Sequence, residues 1–183
     1  MKLFRNYLAL GLAIISLSFV SVNAQSFSGS GSNRAIEDQV RKKILKLPYY
    51  EVFDSIQYKV NGDTVTLLGK VRNAMNRSDA EHSVKRIAGV NRVVNEIEVL
   101  PLGGFDESIR VRLYQTLAQS GGLSRYLWTV NPSVRLIVDR GHVSLEGFVS
   151  SRGDYNTMNV LANGVSGVFS GTNNLVVDSE RVR

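Results

Sequence analysis

Chemistry on a side chain needs the right residue types at the right spacing, and this chain offers few. There are two histidines, His82 and His142, far apart in sequence, and neither has a second ligand at metal-binding distance along the chain. No cysteine is present, which removes disulfides, thiolate nucleophiles and cysteine-held metals together. The acidic stretches "AIEDQ", "FDES" and "NEIEV" read as charges at helix starts and on strand faces, where carboxylates are commonly placed. A general acid–base pair would need two carboxylates in one cleft with separated pKa values, and no motif announces one. The residues point to a protein that catalyses nothing and takes no cofactor or metal.

Contact chemistry is better represented. In "GGLSRYLWTV", Arg125, Tyr126, Leu127 and Trp128, the chain's single tryptophan, follow a Gly-Gly break. Tyrosine and tryptophan favour the water–lipid boundary because an apolar ring carries one polar edge, and a neighbouring arginine can pair with an anionic head group. The same residues could instead close the end of a core, as "PYYEVF" would at the corresponding place upstream. In "ESIRVRLYQTLAQ", helical spacing puts Ile109, Leu113 and Leu117 on one face, with Val111 and Tyr114 off it beside Arg110 and Arg112. Those off-stripe residues either meet a membrane or pack on another unit. A third stretch, "VRKKILK", carries Arg41, Lys42, Lys43 and Lys46 and reads as a solvated helix face or as a basic binding surface.

The elements that must position these residues are legible through a repeat. "DTVTLLGKV" recurs 78 positions later as "GHVSLEGFV", setting Val65, Leu67, Gly69 and Val71 against Val143, Leu145, Gly147 and Val149. Ile56, Tyr58 and Val60 alternate before "NGDT" and match Val134, Leu136 and Val138 before "DRGH", so each unit holds a β-hairpin. Gly69 and Gly147 fall on an inward face, a mark of close backbone or helix approach or of a bulge.

Helical stripes follow each hairpin, Ala80, Val84, Ile87 and Ala88 in one unit and Met158, Leu161, Ala162 and Val165 in the other. Gly89 and Gly167 then act as stop residues before a last strand with Asn95 or Asn173 in the same place. Upstream stripes at Ile36, Val40, Ile44 and Leu47 and at Ile109, Leu113 and Leu117 have an offset of 73, so five extra residues lie before the second unit's first strand. The expectation is α+β: two tandem αββαβ modules, each a three-stranded mixed sheet with two helices on one face.

The N-terminal stretch has Lys2 and Arg5 before an apolar run, Leu8 to Val22, and ends "VNA". This reads as a cleavable export signal over residues 1–24, its run being shorter than the roughly 20 residues of a spanning helix. Residues 25–33, Ser/Gly-rich, read as a flexible tether. Loss of Lys2 and Arg5 would lower the formal charge from +6 to +4. The sequence pI of about 9.7 and an element order shared with RNA-binding KH units raise nucleic-acid binding. Neither unit carries a GXXG loop between its helices, and an export signal places the protein away from nucleic acid.

With "V-x-L-x-G-x-V", a helix of fixed length and "GVNRVVNEIEV" in place, the chain resembles a protein of two BON domains, modules of bacterial osmotically inducible and nodulation-related periplasmic proteins. The units would span 34–101 and 106–178, joined by 102–105 and followed by a tail, 179–183. The second copy departs at "GVFSGTNNLVV", where Gly171 stands for the valine matched by Val93, which predicts a weaker or bulged last strand. The resemblance implies binding to phospholipid membrane surfaces; the export signal places these at the periplasm, the outer membrane included, and the arginines favour anionic ones. The resemblance further implies support of the envelope under osmotic or other stress, and no catalytic residues. The alternative is an interaction protein that recognises an envelope protein or cell-wall complex without touching lipid.

Overall fold

The structure, a computed structural model, describes residues 28–128 and 130–178. The export signal, residues 25–27 of the tether and the tail, 179–183, therefore lie outside the described residues. The first unit comprises α1 (Ser28–Ile44), β1 (Ser55–Asn61), β2 (Thr64–Val71), α2 (Ala74–Lys85) and β3 (Arg92–Val99). The second comprises α3 (Gly104–Ala118), a 3-10 turn (Leu123–Tyr126), β4 (Val134–Asp139), β5 (His142–Val149), α4 (Arg152–Asn163) and β6 (Ser170–Val177). α1 begins at Ser28, inside the stretch read as a tether. A helix already nucleated by the Ile36–Val40–Ile44 stripe extends by propagation alone, so even Ser and Gly are recruited at its start.

Each sheet is mixed. β1 and β4 run antiparallel to β2 and β5, whereas β3 and β6 run parallel to them, giving the orders β1-β2-β3 and β4-β5-β6. Val65, Leu67 and Val71 point inward from β2 with Ile56 of β1, and meet Ile36, Val40 and Ile44 of α1 and Ala80 and Val84 of α2 in one core. The second core repeats this with Leu145, Val149, Leu136, Ile109, Leu113, Met158 and Ala162. Both helices of a unit thus cover one face of its sheet, as the stripes predict.

The helices are anchored by their ends. The Asn73 side chain accepts the Met75 N–H at 2.9 Å and the Ser151 hydroxyl accepts the Asp154 N–H at 3.1 Å, satisfying donors that a first turn leaves free. Asp106 on α3 accepts the Arg140 and Gly141 N–H groups, each at 2.8 Å. It thereby ties α3 to the β4–β5 turn, where Arg140 adopts φ 51°.

Gly69 and Gly147 mark close approach of backbone rather than of a helix. A Cβ there would lie 2.1 Å from the Ser55 carbonyl oxygen and 2.0 Å from that of Ser133, at φ +115° and +110°. Gly89 and Gly167 take left-handed φ values in the turns that follow α2 and α4. The expected bulge at Gly171 is absent: β6 pairs with β5 without a break from Ser170 to Val177. The Asn163 side chain fills the space, 2.6 Å from where a Cβ would sit, so the missing side chain accommodates a neighbour instead of interrupting the ladder.

The two units share an interface. Val52 and Phe53, in the segment leading to β1, pack against the second core, and the Val52 carbonyl accepts the Leu136 N–H on the outer edge of β4 at 2.8 Å. Arg135 donates to the Glu51 carbonyl at 2.9 Å and lies over the Tyr50 ring at 4.2 Å. Ser55 and Gln57 both donate to Glu146, at 2.6 and 3.1 Å. Lys70 pairs with Asp139, and Arg72 reaches Glu107 at 3.1 Å.

Candidate functional site

The lengthened connection between α3 and β4 folds as the 3-10 turn, started by Gly122 at φ 80°. Its side chains divide. Leu123, Tyr126 and Leu127 turn inward and join the second core, so Tyr126 and Leu127, read as lipid contacts, are structural. The reason is local: a 3-10 turn repeats every three residues, and burying positions 123 and 126 sends Arg125 outward. Arg125 is nevertheless engaged, donating to Asp154 at 2.8 Å, to the Tyr126 hydroxyl at 3.0 Å and to the Gly122 carbonyl at 3.0 Å. Burial opposes ionisation of Asp154, but hydrogen bonds from Ser151 and Tyr126 and the Arg125 charge outweigh it and hold its pKa below the ordinary value.

The candidates on α3 divide in the same way. Arg110 is fully buried; it donates to the Val138 carbonyl on the open edge of β4 at 2.7 Å and to Glu107 at 3.3 Å. It serves the sheet edge and meets no lipid, because one residue past the core stripe is the position that overhangs that edge. Arg112 donates to the Ser166 carbonyl at 3.1 Å. Tyr114 faces Phe53 of the first unit, with ring centroids 6.3 Å apart, which settles it as part of the interface between units.

Trp128, the remaining candidate of the α3–β4 connection, presents its ring to solvent. It is 68% exposed, and Val130, which the sequence reading passed over, is 90% exposed. Trp128 occupies the place of Tyr50, 78 positions earlier; the Tyr50 ring lies under Arg135 of the second unit, whereas the Trp128 ring is exposed. Beside Val130, a trough of about 560 Å³ opens at the seam, lined by Tyr50, Val52, Phe53, Val111 and Tyr114.

A second surface is electrostatic. α1 and α2 border a groove of about 480 Å³ lined by Lys43, Lys46, Leu47, Pro48, Asp79, His82, Ser83 and Arg86. His142, by contrast, is bound to the Ser170 hydroxyl at 2.7 Å, in edge contact with Phe169. Among the described residues no group of three or more His, Cys, Asp or Glu could hold a metal ion, and no helix is long and apolar enough to cross a membrane.

The fold and its duplication are those of the BON domain, whose family model matches residues 32–101 and 105–179. The chain belongs to that family. No curated protein matches it. Among solved structures it is similar to CdsD, a structural protein of the type III secretion system of Chlamydia trachomatis, at 13% identity and a TM-score of 0.31, covering 81% of this chain and 95% of that one. It is also similar to the CdsD C-terminal domain, at 14% identity and a TM-score of 0.30, covering 78% and 64%.

Proposed function

We propose that this chain is a non-catalytic protein of the bacterial envelope, exported by a cleavable signal, that rests on anionic phospholipid surfaces and supports envelope integrity under stress. Membership of the BON family supports the reading at large. The observation that carries it here is the exposed pair Trp128 and Val130, an indole and a valine presented to solvent just past the 3-10 turn. An indole suits the headgroup boundary, and an adjacent aliphatic side chain adds apolar area below it. Arg125 contributes by fixing the turn through Asp154 rather than by reaching a head group.

Flotation of residues 25–183, which hold every described element, tests this with vesicles of zwitterionic lipid alone or with added anionic lipid. The expected result is flotation with anionic vesicles that weakens at high salt and falls at least ~10-fold in Trp128→Ala with Val130→Ser, since one aromatic side chain is a large share of a small contact. Binding to an envelope fraction that ignores lipid composition, with no flotation, would favour the protein-partner reading.

A further inference from the structure

The groove between α1 and α2 has a chemistry that the fold does not require. Lys43, Lys46, His82 and Arg86 stand exposed around it, with Asp79 the one acidic residue among its described lining. None of the four bases takes part in an ion pair among the described residues. The second unit builds the same helix pair without these charges: by the offsets of the repeat, Lys43 and Lys46 become Thr116 and Gln119, and Asp79, His82 and Arg86 become Thr157, Val160 and Gly164. Both units pack a full core beneath these positions. The charges of Lys43, Lys46 and Arg86 are therefore not needed to hold two BON helices together, and like charges gathered around one groove repel each other unless an anion joins them.

The geometry points to a phosphate-recognising site in this groove, one that takes the headgroup phosphate of an anionic lipid. A phosphate presents several acceptor oxygens and a full negative charge, which suits ammonium and guanidinium donors converging from two helices. The groove and the tryptophan corner are joined by one short stretch of chain: Leu47 and Pro48 line the groove, and Tyr50, Val52 and Phe53 line the trough beside Val130. The identification of the phosphate as a lipid's rests on the membrane reading; the recognition of phosphate does not.

The test uses residues 25–183 with Lys43→Glu, Lys46→Glu and Arg86→Glu together, against a charge-matched control, Lys42→Glu, Lys59→Glu and Arg92→Glu, exposed positions that do not line the groove. Glycerol phosphate is titrated while the amide signals of Lys43, Lys46, His82 and Arg86 are followed by NMR, and flotation is measured with phosphatidylglycerol vesicles. The groove variant is expected to lose flotation by ~100-fold, about fivefold for each charge removed near an anionic surface, with the control much less affected. Groove signals that move with soluble glycerol phosphate assign recognition to phosphate itself. Signals that move only with vesicles assign it to the headgroup in its membrane. Equal losses in the groove variant and the control, or no groove-centred change with either probe, would overturn the site. Loss of flotation in Trp128→Ala with the phosphate titration intact would bear on the aromatic contact alone.

Discussion

The Tyr126 hydroxyl donates to the Asp154 carboxylate at 2.8 Å while accepting the Ser150 N–H at 3.0 Å. The first unit makes the equivalent joint with the helix-side contact reversed. There the Asp54 carboxylate accepts the Arg72 N–H at 2.6 Å and the Asn76 amide at 3.0 Å, and Arg72 and Asn76 stand 78 positions before Ser150 and Asp154. In both units a polar group from the chain before the hairpin gathers the end of the second strand and the start of the next helix. One unit uses an acid on the loop and an amide on the helix; the other uses a phenol and an acid.

Tyr126→Phe keeps the ring in the core and removes only the hydroxyl. It leaves the Ser150 N–H without its acceptor and Asp154 without one of its donors, a loss of about 0.5–1.5 kcal/mol for hydrogen bonds at a part-buried site. Thermal or urea unfolding should place the variant in that range, with the fold otherwise intact. A cost near zero would show that solvent already serves these groups.

Gly69→Ala and Gly147→Ala should be far more damaging. The new methyl would meet the Ser55 or Ser133 carbonyl oxygen at about 2 Å, at a φ that L residues avoid. Relief requires moving the start of the first strand away from the second, at the end of the hairpin farthest from its turn. A loss of at least about 3 kcal/mol is expected for each, read from urea unfolding and from loss of near-UV circular dichroism in the affected unit.

Asn95 and Asn173 guard the outer strands. Asn95 Oδ1 accepts the Ile97 N–H at 3.2 Å, and its amide donates to the Arg77 carbonyl at 2.9 Å. Asn173 accepts the Leu175 N–H at 3.1 Å and donates to the Tyr155 carbonyl at 3.1 Å. β3 and β6 are sheet edges, and an edge N–H occupied by its own strand's side chain is withheld from pairing with another chain. Asn95→Ala with Asn173→Ala should therefore raise the rate of thioflavin-positive aggregation at a temperature where the monomer stays folded. Unchanged aggregation would assign the asparagines to helix docking alone.

How much of this was legible in the sequence follows from what a period can carry. Val65 and Leu67, Ile36 and Val40, and the register of the repeat are readable because strand and helix spacing place them on one face whatever surrounds them. Gly69 was readable as a close approach, though not what approached. Arg110 was misread because position relative to a stripe says that a side chain leaves its own core, not what it meets next. For Tyr126, residue type alone could not choose between a lipid contact and the end of a core. Arg110 meets a sheet edge, and Tyr126 lies in a turn that folds back. The basic groove was visible only as half, since Lys43 and Lys46 lie at and just past the end of α1 while His82 and Arg86 arrive from the end of α2, and no one-dimensional pattern joins them.

The pair Lys70–Asp139 links the two sheets and gives the interface a pH dependence with a defined sign. The hydrogen bond from Lys70 holds the Asp139 pKa below its ordinary value, and the reciprocal bond raises that of Lys70. For Asp139 the native state binds fewer protons than the unfolded chain, so its stabilisation is present above the ordinary aspartate range and is lost as pH falls through the lowered value. For Lys70 the stabilisation is present below the ordinary lysine value and is lost only as pH rises through the raised one. The clasp should thus hold from about pH 5 to pH 10 and open in acid. Both partners are partly solvated, with side chains 36% and 19% exposed, which limits the contribution to about 1 kcal/mol or less. Asp54 acts in the opposite direction: burial raises its pKa, against hydrogen bonds from the Glu51 and Arg72 backbones, so its share grows as pH falls. The measurement is therefore a difference: urea unfolding of the parent and of Asp139→Asn from pH 7 to pH 3. The parent should lose more stability than the variant across the acid limb, and parallel curves would show that the pair does not couple the two units.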